Sequence, residues 1–424
     1  MKKFIPSYLF LLLVLLLSGC SKDVSKFDLD LIEVVESQGV ISNSSLSPIA
    51  QLGKAIYFDT YFSNPQVQSC ASCHIPSAGW GGLKTAPTGG LAQGFISGIA
   101  EGAWRGRFGG RIPPSAAYAT QSPTLRLVSN EDGEFIGGLF WDGRASGLVG
   151  KGSPAAEQAQ GPLISSAEHN LADAKTVLEK IKASTYYSAL WNNAFGPLPI
   201  STSNQTDITS NYIKVGEAIS AYEACNEVNQ FSSKYDAYLK KQTDLTIQEK
   251  RGLALYNGDA KCFRCHLSDG NASNPPLFTD FKYYNLGLAK NPLNPIYISN
   301  PTFKDFGLGG FLATQSINLQ WRNLAENNRG KFKTPTLRNV AKSQNRAFMH
   351  NGIFGSLEEV IDFYNTRDDS KARGRWGTPE VDNNIHKGWL GNLNLTERNK
   401  QDLIAFLRTL SDGWNATTAT ISNN

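Results

Sequence analysis

Side chains that bind metals strongly are scarce in this sequence: its 424 residues include five histidines and two methionines, one of them Met1. Charge is thin as well. Lys and Arg number 41 against 37 Asp and Glu, a formal net charge of +4, and no Lys/Arg cluster follows a phosphate backbone. That leaves nucleic acid out of the expected partners. The N-terminal apolar run from Tyr8 to Leu17 is too short to span a bilayer. Apolar and aromatic residues are abundant: 41% of the chain is hydrophobic, with 8 Trp, 15 Tyr and 22 Phe. A globular chain of two or three domains is expected, with aromatics suited to large flat cofactors.

The N-terminus reads as a targeting segment. Lys2 and Lys3 precede the apolar run, and Leu17, Ser18, Gly19 and Cys20 resemble a bacterial lipobox. Residues 1–19 are then a lipoprotein signal peptide, cleaved before Cys20. The lipidated thiol would tether the protein to the periplasmic side of a bacterial membrane or to the cell surface. An ordinary signal peptide with an incidental cysteine is the alternative.

Six cysteines in an exported protein would first suggest disulfides. Their spacing argues otherwise. With Cys20 assigned to lipid, Cys70 pairs with Cys73 and Cys262 with Cys265, and each pair is followed at once by a histidine, His74 or His266. Cys225 is left over as a small buried hydrophobe. Cys-x-x-Cys-His attaches c-type haem: each thiol adds to a vinyl group and the adjacent His ligates iron. A redox dithiol needs no His, and zinc needs further ligands at suitable spacing. Two covalently bound haem c groups are expected.

An internal repeat surrounds the two motifs. Gly53-Lys54-Ala55-Ile56-Tyr57 precedes the first and Gly252-Leu253-Ala254-Leu255-Tyr256 the second. Pro123-Thr124-Leu125-Arg126 answers to Pro335-Thr336-Leu337-Arg338, and Phe140-Trp141-Asp142-Gly143 to Phe348-Met349-His350-Asn351-Gly352. The expected fold is mainly α: two cytochrome c-like helical haem domains related by internal duplication, residues 20–243 and 244–424, with long irregular loops. Helical apolar periodicity covers residues 173–195, 212–224 and 396–410. Ser47-Pro48 reads as a helix start, Thr246 with Glu249 and Ser356 with Glu359 as capping boxes, and Gly79 to Gly110 as a loop.

Once His74 and His266 are spent as proximal ligands, His169, His350, His386 and Met349 are the remaining strong ligands. Two fully ligated irons would use up most of them. At least one open iron, able to bind peroxide, is therefore expected.

The segments Leu52 to Asp59, Phe140 to Ala145, Glu157 to Pro162, Phe278 to Asp280 and Pro335 to Val340 together resemble the bacterial di-haem cytochrome c peroxidase and MauG-like family over most of residues 50–410. The resemblance implies an oxidoreductase acting on hydrogen peroxide at the N-terminal haem. Several members block that iron with a His from the loop after the motif. This chain has none between His74 and His169, which implies an iron open at rest unless His169 reaches it.

The same resemblance assigns Gln158 and Glu168 to the distal face. Moving a proton between the two oxygens of peroxide calls for a carboxylate there, with Gln158 orienting the substrate by hydrogen bonding. A solvated loop carboxylate is the bland alternative for Glu168. His169 departs from the family, where Met often follows the Glu. Trp141 matches the tryptophan between the haems, an electron or hole relay, or else a structural core residue. The second iron takes a distal Met fourteen residues after the conserved His in peroxidases; here that position is Tyr364. Leu357, Val360, Ile361 and Tyr364 share one helical face pointing inward, and Met349 is the alternative ligand. Gln121, Asn345 and Ala347 align with suppliers of an inter-haem calcium ion, Gln121 replacing the usual Asn.

Three activities fit. A peroxidase would draw electrons from a small cytochrome c or cupredoxin, and a MauG-like oxidase would modify Trp or Tyr of a partner protein. A tethered electron-transfer cytochrome would have both irons closed. The anchor is tested separately: Cys20→Ala should move the mature protein from the membrane fraction to the soluble extract, as read by fractionation and immunoblotting. Unchanged membrane association would contradict lipidation.

Overall fold

A computed structural model describes residues 46–416, except 87–93, 130–132, 149 and 198–199. Cys20 and the targeting segment lie outside the described residues. Among the described residues thirteen α-helices form the frame. The N-terminal set is α1 (Pro48–Phe58), α2 (Cys70–Cys73), α3 (Pro154–Ile164), α4 (Ala174–Ala183), α5 (Thr185–Phe195), α6 (Gln205–Glu223) and α7 (Lys234–Leu239). The remainder are α8 (Ile247–Tyr256), α9 (Pro295–Ser299), α10 (Gly307–Ala313), α11 (Leu319–Asn323), α12 (Leu357–Thr366) and α13 (Glu397–Arg408). Sheet is limited to three antiparallel two-stranded ribbons: Phe95–Ile96 with Ile99–Ala100, Arg126–Ser129 with Glu134–Ile136, and Tyr283–Tyr284 with Phe332–Lys333.

Capping chemistry explains where the helices begin. Ser47 accepts the Ala50 N–H with Pro48 at the first turn, and Thr246 with Glu249 forms a full capping box. Ser356 caps only singly. Its hydroxyl accepts the Glu359 N–H, but the Glu359 carboxylate turns to the Gly355 N–H at 2.6 Å. The periodic stretch expected over 173–195 is broken at Ser184, whose hydroxyl caps α5, and α6 starts upstream of the expected helix, at Asn204. The Gly-rich stretch expected as a loop carries the Phe95–Ala100 hairpin.

Two helix pairs hold the two Cys-x-x-Cys-His turns, and both pairs meet at a glycine. α1 packs on α6 and α8 on α13. A Cβ at Gly53 would overlap the Ala218 carbonyl oxygen, and one at Gly252 the carbonyl oxygen of Asp402. Only a hydrogen side chain allows the backbones so near. One turn later each helix offers a tyrosine to its haem-motif histidine: the hydroxyl of Tyr57 donates to the His74 carbonyl at 3.2 Å and that of Tyr256 to the His266 carbonyl at 2.5 Å.

The cores follow these pairs. Leu52, Ile56, Val215 and Ile219 pack in one cluster; Tyr256, Ile404, Phe406 and Leu410 pack in another. α7, upstream of residue 243, packs with the second cluster through Tyr235. The neighbouring Asp236 takes both ends of the Arg338 guanidinium at 2.9 and 3.0 Å, with both side chains about 1% exposed. From Leu46 onward the chain is one compact unit.

Gly53→Ala and Gly252→Ala should each cost about 1–3 kcal/mol, because the helices must separate to admit a methyl group. Thermal unfolding followed by circular dichroism measures this. Gly109→Ala, where the nearest atom would lie 4.0 Å away, should stay within about 0.5 kcal/mol.

Candidate active site

A single cavity of about 300 Å³ is walled by both haem motifs, with His74, His266, Trp141, Gln158, Met349 and Tyr364 among its lining residues. The two histidines are held alike. Nδ1 of His74 lies 2.9 Å from the Pro114 carbonyl oxygen, and Nδ1 of His266 lies 2.9 Å from that of Phe278. A carbonyl can only accept, so each Nδ1 carries the proton and each Nε2 keeps its lone pair for a metal. Burial lowers both imidazole pKa values, which keeps them neutral.

The thiols fit haem attachment better than direct metal binding. Cys70, Cys73, Cys262 and Cys265 form no disulfide, and burial pushes the thiols of Cys73, Cys262 and Cys265 up to about 12, away from the thiolate that zinc requires. Among the described residues no group of three or more His, Cys, Asp or Glu could hold a metal ion. Each motif thus offers one imidazole and two neutral thiols beside an apolar cavity. That set suits a macrocycle that brings its own four nitrogens.

On the side of the first motif, Gln158 opens into the cavity from α3. Glu168 follows that helix in a turn closed by its own N–H to the Ser165 carbonyl. Burial raises its carboxyl pKa, with the Ser165 hydroxyl and Arg144 pulling the other way. It sits near enough to Cys70 and Cys73 to raise both thiols, although it does not line the cavity. His169 is 2% exposed, its Nδ1 is fixed on the Phe62 carbonyl oxygen at 3.0 Å, and burial pulls its pKa down to about 4. It too is absent from the cavity wall.

Trp141 stands in the wall shared by both motifs. Its indole N–H donates to the Ile112 carbonyl at 2.9 Å, and its ring meets that of His350 edge-on at 6.5 Å. His350 stacks on Phe332 at 3.4 Å. Burial takes its pKa to about 3, and its Nε2 has no partner. On α12, Leu357, Val360, Ile361 and Tyr364 all line the cavity, as their spacing predicts. Burial raises the Tyr364 phenol, and Cys265 and Cys262 raise it further. Met349 lines the same wall from a tight turn with φ of 65°.

Of the residues expected to hold calcium, Asn345 makes several hydrogen bonds. The carbonyl of Asn345 accepts the Lys84 N–H at 3.0 Å, and its amide bonds to Thr85 on both sides. Gln121 is exposed and Ala347 buried. Sequence reasoning missed the charged groups of the cavity wall, Glu223, Lys333 and Arg346 among them. Burial raises the Glu223 carboxyl to about 8. Its only sequence signal is an acid at the end of an apolar helix face.

Known proteins resemble this chain over most of its length. The family model described as di-haem cytochrome c peroxidase matches residues 47–244. The methylamine utilization protein MauG of Paracoccus denitrificans is 30% identical, over 86% of this chain and 88% of its own. The cytochrome-c peroxidase IdrP1 of a Pseudomonas species is 27% identical over 85% and 80%. Among solved structures, the diheme peroxidase BthA of Burkholderia thailandensis is 32% identical with a TM-score of 0.70, covering 87% of this chain and 89% of that one.

Proposed function

The chain belongs to the di-haem cytochrome c peroxidase and MauG family and is an oxidoreductase of the two-haem c type, and from that premise we propose that it reduces hydrogen peroxide at the haem of His74 with electrons passed through the haem of His266. The observation that carries this reading is that Gln158 lines the wall shared with His74, while Glu168, half-buried and off that wall, lies near enough to Cys70 and Cys73 to raise both thiols. Bound haem iron supplies the centre at which the O–O bond is cleaved. The chain's own residues do the rest. Gln158 orients peroxide through its amide, and the Glu168 carboxylate accepts a proton from one peroxide oxygen and returns it to the other. Trp141, held by Ile112 in the common wall, relays electrons between the two centres. In this reading His169, whose Nδ1 is held on the Phe62 carbonyl oxygen, is not a ligand of the His74 centre.

The two halves, each with a glycine-packed helix pair and a tyrosine on its haem histidine, derive from one duplicated unit. Lipid attachment at Cys20, export to the periplasmic side, and electron supply by a small cytochrome c or cupredoxin complete the proposal.

A second reading rests on Tyr364. Its phenol on the cavity wall beside Cys262 and Cys265 would ligate the second iron and favour high oxidation states over a thioether such as Met349. That suits a MauG-like oxidation of Trp or Tyr on a partner protein. Rapid oxidation of a reduced small cytochrome c or cupredoxin under peroxide supports the peroxidase; slow turnover with oxidation of a dedicated protein partner supports the alternative.

Glu168→Gln should slow peroxide consumption by about 10²–10⁴-fold with the resting spectrum unchanged. The carboxylate form accepts the proton, and the pKa is raised, so the wild-type rate should fall on the acid side from a higher pH than an ordinary Glu would give. Stopped-flow rates across pH measure both effects, and an unchanged rate in the variant removes Glu168 from the mechanism.

A further inference from the structure

Two half-buried cations in the cavity wall form no ion pair with an acidic side chain among the described residues. The ammonium of Lys333 reaches only two carbonyl oxygens, Gly137 at 3.3 Å and Phe281 at 3.4 Å, and lies over the Phe281 ring at 4.8 Å. Asp280 is near enough to favour its charge but is engaged by the Tyr284 hydroxyl at 2.7 Å and the Lys282 N–H at 2.9 Å. Arg346 donates from Nη1 to the Asn339 carbonyl at 2.9 Å, and its buried Nε has no acceptor. Burial draws Lys333 down to about 7 and Arg346 to about 10.

Two other largely buried cations are paired with acids. Arg111 holds Asp142 at 2.7 Å and Asp305 at 2.8 Å, and Arg338 holds Asp236 at 2.9 Å. An uncompensated buried charge is strongly destabilising. The missing anions must come from whatever fills the cavity. Each haem c carries two carboxylate side chains, and apart from them the macrocycle is largely apolar.

Position divides the two cations between the motifs. A Cβ at Gly81, seven residues past His74, would lie 2.7 Å from an Arg346 nitrogen. Lys333 bonds to the carbonyl of Phe281, next to Asp280, whose N–H donates to the Cys265 carbonyl at 2.8 Å. We propose that Arg346 binds a carboxylate side chain of the haem at His74, and that Lys333 binds one at the haem of His266. Both cations come from the second half of the chain, so Arg346 ties the first haem to the opposite half. The inference rests on the two-haem assignment and not on the peroxide chemistry.

A cation facing a haem carboxylate favours the reduced, less positive iron. Spectroelectrochemical titration of the holoprotein should therefore give a lower midpoint potential for the first haem in Arg346→Gln and for the second in Lys333→Met. The other haem should stay near its wild-type value, and Arg346→Lys should recover most of the first shift. Both variants should keep two covalently attached haems by mass spectrometry. Unmoved potentials, upward shifts, or equal shifts of both haems in both variants would overturn the proposal. Redox-difference infrared spectra of the wild type give a reading independent of any variant. Haem carboxylate bands in the ionised region at neutral pH are expected, and protonated carboxyl bands would contradict it.

Discussion

A neutral imidazole whose Nδ1 hydrogen is locked on a backbone carbonyl organises each half of this protein. At His74 and His266 the same hydrogen bond fixes the tautomer, the ring plane and the free Nε2, and the neighbouring tyrosine on the glycine-packed helix steadies the histidine's own carbonyl. Haem ligation asks for this much rigidity, because the hydrogen bond made by Nδ1 sets both the direction and the basicity of the nitrogen offered to iron. Helix pairs α1/α6 and α8/α13 serve that end: their close approach at Gly53 and Gly252 sets where each Cys-x-x-Cys turn lies.

Between the two centres the wall is a study in charge placement. Asp305 pairs with Arg111, which also holds Asp142, His350 is kept uncharged against Phe332, and Trp141 presents a large polarisable ring with its one polar atom satisfied.

Much of this was legible in the sequence because it is local. The Cys-x-x-Cys-His motifs, the repeated Gly-x-x-x-Tyr helices and the inward face of α12 each depend on spacing along one element, and spacing survives folding. The break at Ser184 and the hairpin within Gly79 to Gly110 were missed because a hydroxyl cap and a short turn outweigh apolar periodicity. Glu223, Lys333 and Arg346 were missed for a different reason. A charged side chain in a sequence reads as solvated, and only the fold shows these three turned into a shared cavity.

The central claim is an open iron at His74 that reacts with peroxide. It is tested most directly by electron paramagnetic resonance of the ferric holoprotein before and after one equivalent of hydrogen peroxide. The account predicts a high-spin signal at rest that is lost on addition as an oxidised state forms. Two low-spin signals that peroxide leaves unchanged would contradict it and leave a closed electron-transfer protein in its place.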